Sequence, residues 1–154
     1  MQIIFLLVLT IFMSGLTGHA TAQSKLPELP FVELHRAYYT QHNRITKTQT
    51  KVVASQEDYA AELANYTSAA PATVDFTSGR VLLVDMGGRN TGGYSIAVTS
   101  VSLDRNSVIA NITLTKPGEN CITTQSITNP YQFVFIPTLG EILVSETVKM
   151  ARCR

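Results

Sequence analysis

The chain has 154 residues, with 12 Lys or Arg against 11 Asp or Glu, and a formal net charge of +1. This near balance produces no extended positive field, so we expect no nucleic acid or anionic membrane surface to be recruited by bulk charge. Phosphate binding, metal binding and catalysis would each require a local motif instead.

The first 22 residues are typical of a secretory signal peptide. The apolar run from Ile3 to Met13 is too short to cross a bilayer core, which needs about 20 residues. Small residues follow in Ala20-Thr21-Ala22, the pattern that a signal peptidase cleaves. We therefore predict cleavage after Ala22 and export of the chain, to the periplasm or out of the cell. Residues 23–154 are the size of one domain and contain no further apolar run of membrane-spanning length.

Two strands and the start of a helix are predicted next. Phe31–Tyr39 begins with apolar residues, and Ile45–Ala54 is rich in Thr and Val, which favours a strand. Ser55 followed by Asp58 resembles a capping box, so a helix should begin at Gln56.

The helix should present one apolar stripe to the core. Tyr59, Leu63 and Tyr66 are spaced i, i+4 and i+7, which places them on one helical face. We expect the segment Ser68–Pro71 to end the helix.

The rest of the chain reads as β-structure. Arg80–Met86 is a short apolar run, typical of a buried central strand. Alternation over Tyr94–Leu103 and back over Val108–Thr115 predicts a hairpin, with a bulge near Thr99-Ser100. Further strands are predicted at Tyr131–Ile136 and Glu141–Met150. The predicted fold is mainly β with one helix (α+β), an antiparallel β-sandwich or partly open barrel with the helix packed against it.

A loop with two glycine pairs, Gly87-Gly88 and Gly92-Gly93, lies between two of these strands. Glycine adopts positive φ without steric cost, so the pattern suits a tightly folded loop whose backbone is open to close approach. A phosphate site is disfavoured, because no Lys-Ser/Thr follows and the next element is a strand rather than a helix. The alternative is a purely structural hairpin turn between two core strands.

No catalytic or metal-binding motif is present. The mature histidines are His35 and His42, and neither belongs to an HExxH motif or to a cysteine cluster. No serine lies in a G-x-S-x-G motif, and Asp75, Asp85 and Asp104 are isolated in sequence. We therefore expect neither enzymatic activity nor a cofactor or metal.

Cys121 and Cys153 are the only cysteines, and an exported chain with two cysteines most simply pairs them. In the chain-entropy model such a bond would stabilise the C-terminal strand by roughly 3–4 kcal/mol. The alternative is two unpaired thiols.

Four short motifs lie between Val74 and Glu146: Gly88 with Thr91–Tyr94, Pro117-Gly118 with Cys121, Thr128 with Pro130-Tyr131, and Ile136-Pro137. In these motifs the segment resembles the C-terminal domain of PrcB-type protease-complex subunits. The namesake subunit accompanies and stabilises a surface protease. The resemblance therefore implies a protein-binding accessory role.

The stretch Asn90–Tyr94 is also similar to the Asn-Pro-Thr-Thr-Gly-Tyr loop of chagasin-type cysteine-protease inhibitors. Those inhibitors insert this loop into a protease cleft from an immunoglobulin-like β fold. The similarity implies direct protease inhibition as an alternative function.

These observations predict an exported, non-enzymatic domain that binds a protein, possibly a protease or its complex, through loops. The alternatives are a direct protease inhibitor and a structural envelope protein without a specific client. The first candidate surface is the loop Arg89, Asn90, Thr91, Gly92, Gly93 and Tyr94, and the second is Pro117, Gly118, Glu119 and Asn120. Loops at the same end of a sandwich lie close together, which is why we pair these two. The sequence leaves the oligomeric state open.

Overall fold

The computed structural model of the chain describes residues 25–41 and 47–153. The predicted signal peptide and His42 lie outside the described residues. Seven strands and one helix are present in the described part: β1 Val32–Ala37, β2 Gln49–Val53, α1 Gln56–Leu63, β3 Arg80–Asp85, β4 Ser95–Asp104, β5 Ser107–Lys116, β6 Tyr131–Ile136 and β7 Glu141–Met150. The predicted class, mainly β with one helix, is confirmed.

The strands form two sheets. One has the order β1-β6-β3-β2 and is antiparallel throughout. The other has the order β4-β5-β7, in which β4 and β5 are antiparallel and β5 and β7 are parallel. The arrangement is a sandwich rather than a closed barrel, and the parallel pair corrects the expectation of purely antiparallel sheets. A parallel neighbour is possible because the long connection through β6 carries the chain back to the start of the second sheet.

The central strand β3 is buried on both faces, as its apolar run predicts. Leu82 and Val84 point into the core between the sheets, and Val81 and Leu83 point toward α1. The core between the sheets is built from alternate residues of both: Leu82, Val84, Met86, Ile96, Val98, Val101, Val108, Ala110, Ile112, Leu114, Val134 and Ile136. The molecule therefore has three layers, a helix on the four-stranded sheet and that sheet on the three-stranded one.

Helix α1 begins where its cap predicts. The Ser55 hydroxyl accepts a hydrogen bond from the Asp58 amide at 3.1 Å and donates to the Asp58 carboxylate at 2.8 Å. The helix ends at Leu63, earlier than the predicted stop. Tyr59, Leu63 and Tyr66 are nevertheless all buried against the four-stranded sheet, because the turn after the helix keeps Tyr66 on the same side.

The predicted bulge in the β4–β5 hairpin is present, since the register shifts between Val98 and Ser100. The amide of Val98 donates instead to the side-chain oxygen of Gln132, at 2.7 Å. Gln132 lies on β6 in the opposite sheet and is fully buried. This side chain therefore links the two sheets through a polar bond inside the core.

Candidate functional site

The glycine loop, residues 87–94, carries the chain from one sheet to the other. It follows β3 in the four-stranded sheet and precedes β4 in the three-stranded sheet. The hairpin alternative is therefore wrong, because hairpin strands would be neighbours in one sheet. Gly87 and Gly93 have φ values of +73° and +85°, so the two ends of the loop use the left-handed conformation that favours glycine.

The segment 122–130 lies along this loop and is bonded to it. Arg89 and Thr128 form a short antiparallel bridge, with N–H···O distances of 2.7 and 2.9 Å. The amide of Gly92 donates to the Thr124 carbonyl at 2.9 Å, and the Thr128 hydroxyl donates to the carbonyl of Thr91 at 2.9 Å. The loop backbone is therefore held in one conformation by its neighbour.

The side chain of Arg89 turns back into the protein. Its Nη2 atom donates to the Thr48 hydroxyl at 3.1 Å and also to the Met86 carbonyl. The guanidinium carbon lies 5.7 Å from the centre of the Tyr94 ring, within the range of a cation–π contact. The guanidinium of Arg89 therefore stabilises the loop from its inner side, through contacts with groups of the same domain.

A buried carboxylate, Asp85, connects the base of the loop to its surroundings. It accepts hydrogen bonds from the Gly87 amide at 2.7 Å, from the Tyr66 hydroxyl at 2.8 Å and from the side-chain amide of Asn129. Burial raises the pKa of Asp85 above its ordinary value, and these hydrogen bonds act in the opposite direction. We call Asp85 and these three partners the Asp85 cluster.

The Asp85 cluster also positions the end of β1. The backbone amide of Asn129 donates to the Tyr38 carbonyl at 2.8 Å. Tyr38 and Tyr39, which follow β1, are thereby brought beside the glycine loop. Their side chains are 49% and 57% exposed, so both rings remain available at the surface.

Three tyrosines and the glycine backbone enclose an open cleft of about 360 Å³. Its lining consists of Tyr38, Tyr39, Gly92, Gly93, Tyr94, Ser95, Thr124 and Thr128. No Asp, Glu, Lys, Arg or His belongs to this lining, while its hydroxyl groups and the glycine backbone offer hydrogen bonds. We call this the tyrosine cleft, and its chemistry suits an uncharged, partly apolar peptide segment.

The second predicted loop lies next to the first. A Cβ atom added to Gly93 would lie 3.2 Å from the Pro117 ring and 3.2 Å from the methyl of Thr123. Glu119 and Asn120 are exposed, and the Cys121 amide donates to the Gly118 carbonyl at 3.0 Å. The structure therefore brings both predicted loops to one end of the sandwich, although only the first one lines the cleft.

The predicted cysteine pair is confirmed. Cys121 and Cys153 form a disulfide, with their Cα atoms 5.0 Å apart. Beside it, the amide of Ala151 donates to the Lys116 carbonyl at 2.8 Å. The disulfide therefore fastens the end of β7 to the loop 117–120, and it is compatible with an exported protein.

Four exposed residues near the cleft were missed by the sequence analysis. From the sequence, Tyr38 and Tyr39 are placed at the end of the predicted strand Phe31–Tyr39, and neither Ile122 nor Ile127 is singled out. Ile122 is fully exposed and Ile127 is 72% exposed, in the segment that lies along the glycine loop. Large apolar residues in a stretch of Thr, Gln and Ser are the signal that could have indicated a contact surface.

The titratable residues singled out from the sequence do not meet in one place. His35 hydrogen-bonds the Tyr131 hydroxyl at 3.0 Å, while Asp75 caps a surface turn at Thr77 and Ser78. Burial raises the pKa of Tyr131 to about 12, so its hydroxyl stays protonated.

Within residues 25–41 and 47–153, no group of His, Cys, Asp or Glu side chains is arranged to hold a metal ion. Nor does any helix in this part of the chain have the length and apolarity needed to span a membrane.

Comparison with known proteins gives one match. The family model described as PrcB C-terminal matches residues 80–137, which include β3 to β6, the glycine loop and the segment 122–130. No curated protein and no solved structure matches the chain. The similarity to chagasin-type inhibitors gains no support from these comparisons. The matched segment, residues 80–137, is thus similar to the PrcB C-terminal family, and it contributes most of the core between the sheets and one wall of the cleft.

Proposed function

We propose that this chain is an exported, non-enzymatic domain that binds a partner protein in the tyrosine cleft and acts as an accessory to a protease complex. The partner would contribute a short, uncharged segment with at least one apolar side chain. The exposed Ile122 and Ile127 would extend the contact beyond the cleft.

One observation carries this proposal: exposed tyrosine rings lie opposite a loop whose backbone is held in place by hydrogen bonds. Tyr38 and Tyr39 are about half exposed, yet the glycine loop opposite them is bonded at Arg89, Thr91 and Gly92. Aromatic rings provide a large contact area with little loss of side-chain entropy. A wall that is already ordered adds little further entropic cost on binding.

The family supports the accessory role. The match to the PrcB C-terminal model covers the glycine loop and its bonded neighbour, and the family name suggests a protease-related complex. Export is supported by the Cys121–Cys153 bond, because disulfides persist in oxidising compartments.

The inhibitor alternative has less support from the geometry. A loop that inserts into a protease cleft must project from its fold, whereas Gly92 is buried and the Thr91 carbonyl bonds inward. Asn90 and Gly93 are the exposed residues of the predicted contact loop. The loop forms one wall of a receiving cleft rather than a projecting wedge.

Capture of partners from the native envelope fraction tests the proposal. Immobilised wild-type protein is compared with Tyr39→Ala and Thr124→Arg, which alter opposite sides of the cleft. The matched control is Leu103→Ser, which also changes an exposed large apolar residue. Leu103 lies eight residues along β4 from Ser95, or about 26 Å from the cleft.

The proposal predicts that an exported protease or its complex is retained by the wild type and by Leu103→Ser and is lost with both cleft variants. Equal recovery by folded cleft variants would show that the cleft is not the contact surface. Activity of purified papain-like proteases is measured in parallel with micromolar protein. Inhibition there, abolished by changes at Asn90, would favour the inhibitor alternative instead.

A further inference from the structure

Strand β7 is a long and unusually exposed edge of the three-stranded sheet. It pairs with β5 over ten residues, and the described residues place no strand on its other side. Apart from Ile142, every residue of β7 is exposed. An unprotected edge of this length presents a row of backbone groups able to pair with another strand.

The opposite edge of the same sheet is occupied. Residues 27–29 run beside β4, where the Leu29 amide donates to the Val101 carbonyl and the Leu103 amide donates to the carbonyl of Pro27, at 2.8 and 2.9 Å. β7 is therefore the free side of this sheet in the described part of the chain.

The inward side of β7 extends past the core. Its residues Ile142, Val144, Glu146 and Val148 are paired with Val108, Ala110, Ile112 and Leu114 of β5, and paired residues lie on the same face of a sheet. The β5 partners are buried, but Val144 is 37% and Val148 is 55% exposed. The four-stranded sheet thus covers β5 and leaves two apolar residues of β7, Val144 and Val148, uncovered on either side of Glu146.

We infer that β7 pairs antiparallel with β7 of a second copy of this chain, joining two three-stranded sheets into one. The distribution of charge along β7 indicates that the partner strand is β7 of a second copy. Glu141 lies near one end and Lys149 near the other, so two antiparallel copies place these opposite charges face to face.

Only certain registers preserve the pairing of outward-directed backbone groups. In a two-fold antiparallel pair, a residue whose N–H and C=O point to the free edge must face another of that kind. Residues of this kind occur at every second position along the strand. Two residues that face each other must therefore both have odd numbers or both have even numbers, so their residue numbers sum to an even value. Centring the axis on Ser145 satisfies this and sets Glu141 opposite Lys149 and Ile142 opposite Val148.

The neighbouring registers are worse. An axis at Glu146 places the two Glu146 carboxylates directly opposite each other, and like charges in that position are destabilising. An axis at Val144 sets Glu141 opposite Thr147, so neither Glu141 nor Lys149 has a charged partner. The Ser145 register is therefore favoured by charge, and it also sets one apolar pair, Ile142 and Val148, face to face.

The expected dimer is weak and depends on concentration. One added strand pair buries little surface, at the low end of specific interfaces below about 1,200 Å². We expect sedimentation velocity to show wild-type dimers forming between micromolar and millimolar concentrations. A wild type that stays monomeric throughout this range would overturn the inference.

Charge reversal tests the register. Glu141→Lys and Lys149→Glu should each weaken the dimer roughly tenfold, since each change turns two attractive pairs into repulsive ones. The double variant should restore dimerisation, because the charges are again opposite. Both side chains are exposed, so the fold should be unaffected, as far-UV circular dichroism can verify. A double variant as weak as the single variants would contradict the register.

Oxidative cross-linking locates the axis directly. Ser145→Cys places the two new thiols opposite each other, at a Cα separation of roughly 4.5–5.5 Å that a disulfide can bridge. The matched control is Thr147→Cys, which is on the same face of the same strand and is also exposed. In the proposed register Thr147 faces Leu143 of the other copy, so the two new thiols would lie too far apart to bond. Covalent dimers should form with Ser145→Cys and not with Thr147→Cys. Equal yields from both variants would show random collision and overturn the proposal.

Discussion

Removing the Asp85 carboxylate should destabilise the fold strongly, because it accepts three hydrogen bonds at the base of the glycine loop. Asp85→Ala leaves three buried donors without their acceptor: the Gly87 amide, the Tyr66 hydroxyl and the Asn129 side-chain amide. An unsatisfied buried donor costs about 1–3 kcal/mol. Part of this loss is offset because the carboxylate no longer has to be buried, a cost that is visible in its raised pKa. The expected loss of unfolding free energy is about 3–5 kcal/mol.

Urea unfolding followed by far-UV circular dichroism measures this change, and the six tyrosines provide a second probe in a chain without tryptophan. Asp75→Ala is the control, because Asp75 is an exposed carboxylate that accepts hydrogen bonds from Thr77 at a surface turn. Its loss should cost less than about 1 kcal/mol. If Asp85→Ala costs no more than Asp75→Ala at an unchanged m-value, the cluster does not hold the base of the loop as described.

Three further outcomes are expected. The folded-state pKa of Asp85 lies above its ordinary value of 3.8, so the stability linked to its protonated form is complete at lower pH and is lost as the pH rises through the folded-state pKa, while the charged form still accepts the three hydrogen bonds. Wild type should therefore lose stability relative to Asp85→Asn as the pH rises above about 4, and parallel curves of unfolding free energy against pH would refute this. Gly87→Ala should lower the free energy of unfolding, measured in urea, by roughly 2–4 kcal/mol, because φ at Gly87 is +73° and a Cβ would lie 2.7 Å from the backbone of Lys47. A loss below about 0.5 kcal/mol would mean that the loop relaxes freely around the added methyl group. Gln132→Met keeps the side-chain volume but removes the acceptor of the Val98 amide, so we expect a loss of about 1–3 kcal/mol, measured as a lower thermal midpoint. An unchanged midpoint would show that another group satisfies that amide.

Features set by short stretches of chain could be predicted from the sequence. The start of α1 follows from one hydrogen bond between Ser55 and Asp58, three residues apart. The bulge in β4 follows from a slip in alternation at Thr99-Ser100, and it appears between Val98 and Ser100. The apolar run of β3 was enough to indicate a strand buried on both faces. In each case the cause lies within a few residues of the effect.

Features that depend on distant partners could not be predicted. Nothing local to β7 indicates that its neighbour is β5 or that the pair is parallel. The cleft is another example, because Tyr38 is held beside the glycine loop by a hydrogen bond from Asn129, far along the chain. The loop itself was recognised, but the wall opposite it was not. Strand pairing and the meeting of distant loops are properties of the assembled sheets, which local residue spacing does not encode.

The pairing of β1 with β6 affects the order in which the domain can fold. Val32 lies opposite Phe135, so the four-stranded sheet joins residues from nearly opposite ends of the described chain. Contacts this distant in sequence slow folding, because the intervening chain must be ordered before they form. As the chain is synthesised, β1 has no partner until residues 131–136 have emerged. A secretion route that threads unfolded chains would thus meet this domain before its sheet can close.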